Sequence, residues 1–323
     1  MMLSAKGKFI GLLLGLVFCF FSILVFSYQE DIQAEHSKKM LLSDNAFQAI
    51  LQFYQYDKEI PLDAAVVEKE EGENYVREKI VFRGAHDYRV PGYLAIPTTE
   101  TPPYPCVLQI HGMTLSKEDF WRSDSYHRGH LLTQALLAEG FAVLALDAQY
   151  HGERIIFNDF QSTLIMVFRK GWINRLREMA VQTVVDYRRA IDYLETRKEI
   201  DPNRIGVIGY SLGGVESFVL TGVDPRIKVL TACVTPSIIR QRWPDQHNLS
   251  AIAPTNFVRS IQRQPTLMLM GRNDESQYTV EEAQALYSLI EGESKELVFY
   301  DSGHRLPAEH VSKALEWFKK HLQ

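Results

Sequence analysis

The sequence predicts an α/β fold, in which a mainly parallel sheet carries helices on both faces and begins with an antiparallel hairpin. Short apolar runs of strand length alternate with longer segments whose apolar residues recur at helical spacing. Uninterrupted apolar strands are typical of parallel sheets that are covered on both faces. With 323 residues, of which 46% are hydrophobic, the chain is long enough to form one large domain of this kind.

The elements ahead of the alternating region are predicted from local patterns. Apolar residues at helical spacing predict an amphipathic helix at 43–56, and the polar stretch 68–74 predicts a surface loop. Two strand-like segments, 77–82 and 90–96, are joined by a short connection and predict the hairpin.

The alternating region supplies the rest of the sheet. Strands are predicted at 105–110, 141–146, 205–208, 229–233, 266–270 and 297–300. Helices are predicted at 126–139, 177–197, 280–290 and 308–321, with a further helix directly after residue 211. Ligands of such sheets bind at the carboxyl ends of the strands, so the residues that follow each strand are the candidates for function.

One of these strands leads into Gly209-Tyr-Ser-Leu-Gly213, the G-x-S-x-G pattern of a nucleophile elbow. A serine at the tip of this turn has an exposed hydroxyl, and glycines are needed where a Cβ would collide with the neighbouring strand and helix. The N-terminus of the following helix directs free N–H groups at developing negative charge. Ser211 is therefore the candidate nucleophile; the alternative is a glycine-rich turn whose serine has no chemical role.

A serine nucleophile needs a base and a third group that orients the base. In elbow folds these follow in the order serine, acid, histidine. Asp274 and His304 each come after a predicted strand and supply this order as the candidate acid and general base. Glu275 is a rival carboxylate in the same loop. Asp301 is a weaker rival, because a carboxylate so near His304 along the chain is poorly placed to orient its ring.

The oxyanion of a tetrahedral intermediate needs two N–H donors. We expect one from the backbone of Leu212, the residue after the candidate nucleophile, and the other from the loop after the strand that ends at residue 110. In that loop we assign the donor to Met113. Gly112 lets the backbone turn closely over the site, and His111 is expected to hold the loop through a side-chain hydrogen bond.

These motifs, with Asp147-Ala-Gln-Tyr-His-Gly152 and Asp201-Pro-Asn-Arg-Ile205, make residues 75–322 resemble the α/β-hydrolase superfamily. The branch they resemble contains dienelactone hydrolases, acetyl xylan esterases and prolyl oligopeptidase-like catalytic domains. The resemblance implies an eight-stranded sheet, serine hydrolase activity and no metal or organic cofactor.

The chain departs from this branch in three places. Its donor loop reads His-Gly-Met, where lipases have His-Gly-Gly-Gly. Ser211 argues against dienelactone hydrolase activity, because those enzymes carry a cysteine nucleophile. Fewer than about 50 residues separate the N-terminal apolar run from the first strand, too few for the β-propeller of prolyl oligopeptidases.

The N-terminus contains an apolar run, residues 9–28, that follows two lysines and precedes two acidic residues. About 20 apolar residues match the hydrocarbon thickness of a bilayer, and the lysines favour a cytoplasmic N-terminus. We therefore expect residues 1–28 to anchor the protein in the lipid bilayer, with the catalytic domain periplasmic or extracellular. Cleavage of the segment would make the protein secreted. Residues 29–74 then form a helical and linker segment before a catalytic domain at 75–323.

Composition excludes some partners and cross-links. The formal net charge of −5 gives no reason to expect a nucleic-acid partner. Three cysteines are too few for a disulfide framework. Cys106 and Cys233 fall in predicted strands with another strand between them, about 9.5 Å apart, which is too far for a disulfide.

Two insertions at strand ends, 153–176 and 236–263, are predicted to form a small cap. Their aromatic residues either line an apolar acyl pocket or only pack the cap; they are Phe157, Phe160, Phe168, Trp172, Trp243 and Phe257. Basic residues of the first insertion and the following helix either recognise an anionic substrate or form a solvated helix face; they are Arg169, Lys170, Arg175 and Arg177.

The leading functional hypothesis is a serine hydrolase that cleaves small or medium carboxylic esters through an acyl-enzyme. The same residues would serve a thioesterase or a small-peptide hydrolase, because the leaving-group preference depends on the shape of the pocket. An alternative of another class is a non-catalytic binding protein on a hydrolase fold. A full set of serine, acid and histidine favours the enzyme.

Overall fold

A sheet of nine strands organises the part of the chain that this computed structural model describes, residues 41–99, 101–238 and 246–323. The strands are β1 Ala65–Glu71, β2 Tyr75–Arg83, β3 Arg89–Pro97, β4 Tyr104–Ile110, β5 Ala142–Leu146, β6 Ile200–Tyr210, β7 Ile227–Cys233, β8 Thr266–Gly271 and β9 Lys295–Tyr300. Their order across the sheet is β1-β2-β3-β5-β4-β6-β7-β8-β9.

The direction of the strands confirms the predicted fold class. Strands β1, β2, β3 and β5 pair antiparallel in that order, and β5, β4, β6, β7, β8 and β9 are parallel. Every residue of β4 and β5 is buried, which explains their uninterrupted apolar sequences. Strands β6 and β7 end side by side, with Tyr210 opposite Cys233, so the residues after them lie at one edge of the sheet.

The additional strand is β1, and it occupies most of the stretch predicted as a loop at 68–74. All seven residues of β1 are exposed, and four consecutive ones are charged. A strand that buries no side chain has no apolar alternation to mark it, and a charged edge strand discourages pairing with another chain. Only its backbone pairing with β2 identifies it.

Helices flank the sheet. They are α1 Asp44–Leu51, α2 Gly129–Ala138, α3 Ile173–Glu195, α4 Leu212–Val223, α5 Gln246–Leu249, α6 Pro254–Phe257, α7 Val280–Ser288 and α8 Glu309–Leu322. Helices α3 and α4 pack against each other, as do α2 and α8. Helix α3 begins four residues earlier than predicted, so it contains the last residues of the first insertion. The rest of that insertion contains a 3₁₀ segment and a short π-helical segment, joined by turns and irregular residues.

The expected membrane-anchored localisation is corrected by the described structure. The apolar segment 9–28, on which the expectation rested, lies outside the described residues. Within the described ranges, no helix is long and apolar enough to cross a bilayer. Helix α3 has a sufficient length of 23 residues, but arginines and acidic residues recur along it. The described residues thus lend no support to the expected lipid-bilayer partner.

The two described cysteines are buried and free, as expected. Cys106 lies in β4 and Cys233 in β7, with β6 between them. Burial raises the pKa of both thiols, so neither is a reactive thiolate at neutral pH. Cys19 lies outside the described residues.

Candidate active site

Ser211 stands at a sharp turn between the end of β6 and the start of α4. Its backbone angles, φ 59° and ψ −118°, are strained for a residue with a side chain. Two glycines permit the turn. A Cβ on Gly209 would lie 1.8 Å from the carbonyl oxygen of Gly213, and a Cβ on Gly213 would lie 2.2 Å from that of Ile110. The sequence pattern is thus explained by close backbone approaches to α4 and to β4.

The structure brings Ser211, His304 and Asp274 into one hydrogen-bonded series. The Oγ of Ser211 lies 2.8 Å from Nε2 of His304. On the other side of the ring, Nδ1 lies 2.5 Å from Oδ2 of Asp274. With Nδ1 protonated and donating to the carboxylate, Nε2 is free to accept the serine proton, which is the arrangement that general-base activation of a serine requires.

Both rival carboxylates lie at the protein surface. Asp301 is exposed and accepts a hydrogen bond from the side chain of Asn273 at 2.9 Å. Glu275 is exposed. By contrast, the side chain of Asp274 is only 2% exposed, and its second oxygen accepts from the hydroxyl of Ser276 at 3.2 Å. Burial of this carboxylate against the ring strengthens their electrostatic interaction, because water screens it less.

The loops that carry Asp274 and His304 meet because β8 and β9 are parallel neighbours. The N–H of Asn273 donates to the carbonyl of Ser302 at 2.9 Å, which joins the two loops. Gly271 allows this contact, since a Cβ there would lie 2.1 Å from the carbonyl oxygen of Gly303.

The loop after β4 lies directly over Ser211. A Cβ on Gly112 would lie 3.2 Å from the Cβ of Ser211 and 3.0 Å from the carbonyl oxygen of Tyr210. The side chain of Met113 packs against the apolar cluster that contains Leu212. Among the described residues, neither the N–H of Met113 nor that of Leu212 donates to a protein acceptor.

His111 is hydrogen-bonded at both ring nitrogens. Its Nε2 accepts from the N–H of Ala148 at 3.0 Å, so the proton is on Nδ1, which donates to the carbonyl of Gly112 at 2.9 Å. Burial lowers the pKa of His111, which keeps the ring neutral in this tautomer. Because a trans peptide points its C=O and N–H in opposite directions, this bond also fixes the direction of the Met113 N–H.

The sequence reasoning missed Lys117, whose side chain is 1% exposed. Its Nζ lies 2.8 Å from Oδ2 of Asp147 and 2.6 Å from Glu153, and its N–H donates to Oδ1 of Asp147 at 3.0 Å. Burial disfavours the ammonium ion, but the two carboxylates outweigh it and raise the pKa of Lys117. These bonds join the loop after β4 to the loop after β5. Asp147 belongs to the motif Asp147–Gly152 that supports the family resemblance, whereas no sequence pattern indicated a role for Lys117.

The two insertions contribute apolar residues beside the site. Met166, Val167 and Ile173 from the first, and Ile238, Leu249, Ile252 and Ala253 from the second, pack in the cluster that contains Leu212. The aromatic residues of the two insertions differ in their exposure to solvent. The four in the first insertion are 40% to 70% exposed, whereas Phe257 is fully buried against Phe47 and Tyr54. Trp243 lies outside the described residues.

Three of the basic residues have partners on the protein. Arg175 donates to Asn158 at 2.8 Å, Arg177 donates to Asn248 at 3.3 Å, and Lys170 donates to Gln161. In the described ranges, no group of three or more His, Cys, Asp or Glu side chains is arranged to hold a metal ion.

Comparisons with known proteins agree with this architecture. "Putative hydrolase YtaP" of Bacillus subtilis (strain 168) is 25% identical over 224 residues, which cover 64% of this chain and 72% of that protein. "Thiohydrolase apmlB" of Arthrinium phaeospermum is 32% identical over 117 residues, 36% of this chain and 32% of that protein.

A similar fold is found in acetyl xylan esterase 1 from Thermoanaerobacterium sp. JW/SL YS485, with a TM-score of 0.66, 16% identity and coverage of 85% of this chain and 93% of that one. The sequence model of the alpha/beta hydrolase family matches residues 107–270. This span runs from β4 through the elbow to β8 and contains half of the chain. The chain is a member of the alpha/beta hydrolase family.

Proposed function

We propose that this protein is a serine hydrolase that cleaves small or medium carboxylic esters. The observation that carries the proposal is the unbroken hydrogen-bonded series from Ser211 through His304 to Asp274, with distances of 2.8 and 2.5 Å. The series lies at the carboxyl edge of the parallel strands, where α/β sheets bind their ligands. The family's hydrolases and the esterases of similar fold are consistent with it.

The reaction follows from the positions of the protons. Oγ of Ser211 attacks the ester carbonyl carbon while Nε2 of His304 takes the hydroxyl proton. The tetrahedral intermediate then breaks its bond to the alkoxy oxygen, which receives that proton from His304 and leaves as an alcohol. A water molecule attacks the acyl-enzyme with the same base, and the serine leaves with its proton restored as the acid is released.

Two backbone groups are proposed to hold the oxyanion. The N–H of Leu212 lies at the N-terminus of α4, where helix N–H groups have no intrahelical partner. The N–H of Met113 comes from the loop that covers Ser211, and its direction is set by the His111 bond to Gly112. Loss of one such donor slows acyl transfer by about 100- to 1,000-fold in comparable sites.

A thioester is the second candidate substrate, because the relative from Arthrinium phaeospermum is named a thiohydrolase. Cleavage of a thioester would use the same attack and the same base, with a thiol as the leaving group. The relative covers 36% of this chain, so the ester remains the leading proposal.

The test is turnover of p-nitrophenyl acetate and butyrate by the full chain and by Ser211→Ala. We expect Ser211→Ala to lose at least about 1,000-fold in kcat, because the nucleophile cannot be replaced by its neighbours. Ser217→Ala is a matched control: Ser217 is a buried serine of α4, the helix that follows Ser211, and its hydroxyl donates to the carbonyl of Gly214 at 2.8 Å.

Two outcomes would change the proposal. Turnover that survives Ser211→Ala would refute the nucleophile. If the protein turns over no ester and a fluorophosphonate probe leaves Ser211 unlabelled, the non-catalytic binding protein becomes the better account. Matched acyl esters, acyl thioesters and aminoacyl amides, compared on one preparation, separate the three leaving groups.

A further inference from the structure

Three buried tyrosines hold the loops of the candidate active site in the same way. Each phenol oxygen accepts a hydrogen bond from one backbone N–H and donates one to a backbone carbonyl. A tyrosine hydroxyl can do both at once, on a ring with few rotatable bonds. The three are Tyr187, Tyr210 and Tyr278, which are at most 5% exposed.

Tyr210 holds the loop of the candidate base. It ends β6 and directly precedes Ser211. Its hydroxyl donates to the carbonyl of His304 at 2.7 Å and accepts from the N–H of Leu306 at 3.0 Å. Its ring meets the imidazole edge-on, with centroids 6.1 Å apart. The residue before the candidate nucleophile therefore sets the backbone position of the candidate base.

Tyr278 holds the loop of the candidate acid. Its hydroxyl accepts from the N–H of Gly271 at 2.8 Å and donates to the carbonyl of the same residue at 3.0 Å. Its own N–H donates to the carbonyl of Asp274 at 3.2 Å. Together these bonds close residues 271–278 into a loop with Asp274 inside it.

Tyr187 holds the strands that lead to the loop over Ser211. It lies on α3, donates to the carbonyl of Gln109 in β4 at 2.6 Å and accepts from the N–H of Leu146 in β5 at 3.1 Å. Gln109 lies two residues before His111, and Leu146 lies one residue before Asp147. Their connection fixes the point at which both loops leave the sheet.

We propose that Tyr187, Tyr210 and Tyr278 are positioning residues for catalysis, and that their hydroxyls keep the donor loop, the base loop and the acid loop in register with Ser211. The inference rests on the proposed function. Burial raises the pKa of all three phenols, so each hydroxyl keeps its proton at neutral pH and the donated bond persists. None of the three is expected to touch the substrate.

The test replaces each tyrosine by phenylalanine, which removes the hydroxyl and keeps the ring. We expect Tyr210→Phe, Tyr278→Phe and Tyr187→Phe each to lower kcat by about 10- to 100-fold, because a displacement of about 1 Å at the reacting groups has this effect. KM should stay within about twofold, since substrate binding does not use these hydroxyls. The rate of fluorophosphonate labelling of Ser211 should fall in parallel with kcat.

Tyr54→Phe is the matched control. Tyr54 is fully buried, and its hydroxyl donates to the carbonyl of Ala251 at 2.5 Å, in the second insertion and not in the donor, base or acid loop. It should keep kcat within about twofold of the wild type. Thermal unfolding of all four variants measures the stability lost with a buried hydroxyl, and titration of labelled sites gives kcat per folded molecule.

The outcomes are distinguishable. An active wild type whose Tyr210→Phe, Tyr278→Phe and Tyr187→Phe variants keep a normal kcat per labelled site overturns the positioning role and leaves the proposed function intact. An equal loss of kcat per labelled site in Tyr54→Phe also overturns it, because the loss would then follow from removing any buried tyrosine hydroxyl. A wild type that neither turns over ester nor labels at Ser211 overturns both proposals.

Discussion

Glu216 offers a quantitative test of how the helix after Ser211 is packed. This residue of α4 is 1% exposed, and among the described residues neither of its carboxyl oxygens has a hydrogen-bond partner. Burial raises the pKa of Glu216 well above its ordinary value, so the folded protein keeps it as a neutral acid. In the variant Glu216→Gln, the glutamine side chain has nearly the same shape as glutamate and never carries a charge.

The magnitude follows from proton binding. A glutamate in an unfolded chain titrates near pH 4.3. Above that pH the folded protein holds one proton more than the unfolded chain at this site, so the free energy of unfolding falls by about 1.4 kcal/mol per pH unit. The stabilisation is complete below the unfolded pKa and is lost as the pH rises towards the folded pKa. Glu216→Gln lacks this loss, so its stability should rise relative to the wild type between pH 5 and 7. The gain is at most about 2.7 kcal/mol, the value for a glutamate that stays protonated in the folded protein over the whole range.

Urea unfolding of both proteins at pH 5, 6 and 7, followed by tryptophan fluorescence, measures the difference. Every other titrating group is common to the two proteins, so its contribution cancels. A difference that does not change with pH would refute the neutral buried acid. A variant that loses stability relative to the wild type as the pH rises would mean that the fold holds Glu216 as a paired carboxylate.

Two further substitutions test the site itself. Asp274→Asn should lower kcat by about 1,000- to 10,000-fold, because an amide stabilises the wrong tautomer of His304. In the same esterase assay, Glu275→Gln and Asp301→Asn should keep a kcat near that of the wild type. A large loss of kcat in either control would reassign the acid. Lys117→Met leaves the carboxylate of Asp147 buried without its cation and should destabilise the fold by about 3–5 kcal/mol. If urea unfolding gives the same free energy of unfolding for this variant and the wild type, the ion pair is dispensable.

Much of the fold and of the candidate site could be predicted because the signals are local. In the elbow, a Cβ at position 209 would collide with Gly213, four residues later, and a Cβ at position 213 would collide with Ile110 of the neighbouring strand β4. Both requirements therefore appear as glycines within one short stretch of sequence. The buried strands β4 and β5 are uninterrupted apolar runs because both faces of the sheet are covered. The chain order of serine, acid and histidine follows from the order in which the strands enter the sheet.

Features without a local signal could not be predicted. Strand β1 buries no side chain, so only its pairing with β2 reveals it. The expected membrane anchor, by contrast, rested on a local apolar run, residues 9–28, that lies outside the described residues; no described helix is long and apolar enough to cross a bilayer. The side chain of Lys117 is buried because Asp147, 30 residues along the chain, supplies the opposite charge.

Sequence alone could identify the candidate residues for the proposed chemistry, because a nucleophile, a base and an acid each require a particular side chain after a strand. How those residues are held was decided by the folded chain. The three tyrosine hydroxyls bond to backbone groups as far as 96 residues away, as in the bond between Tyr210 and Leu306. Any residue can supply a backbone N–H or carbonyl, so such a partner leaves no trace in the sequence and becomes visible only when the chain has folded.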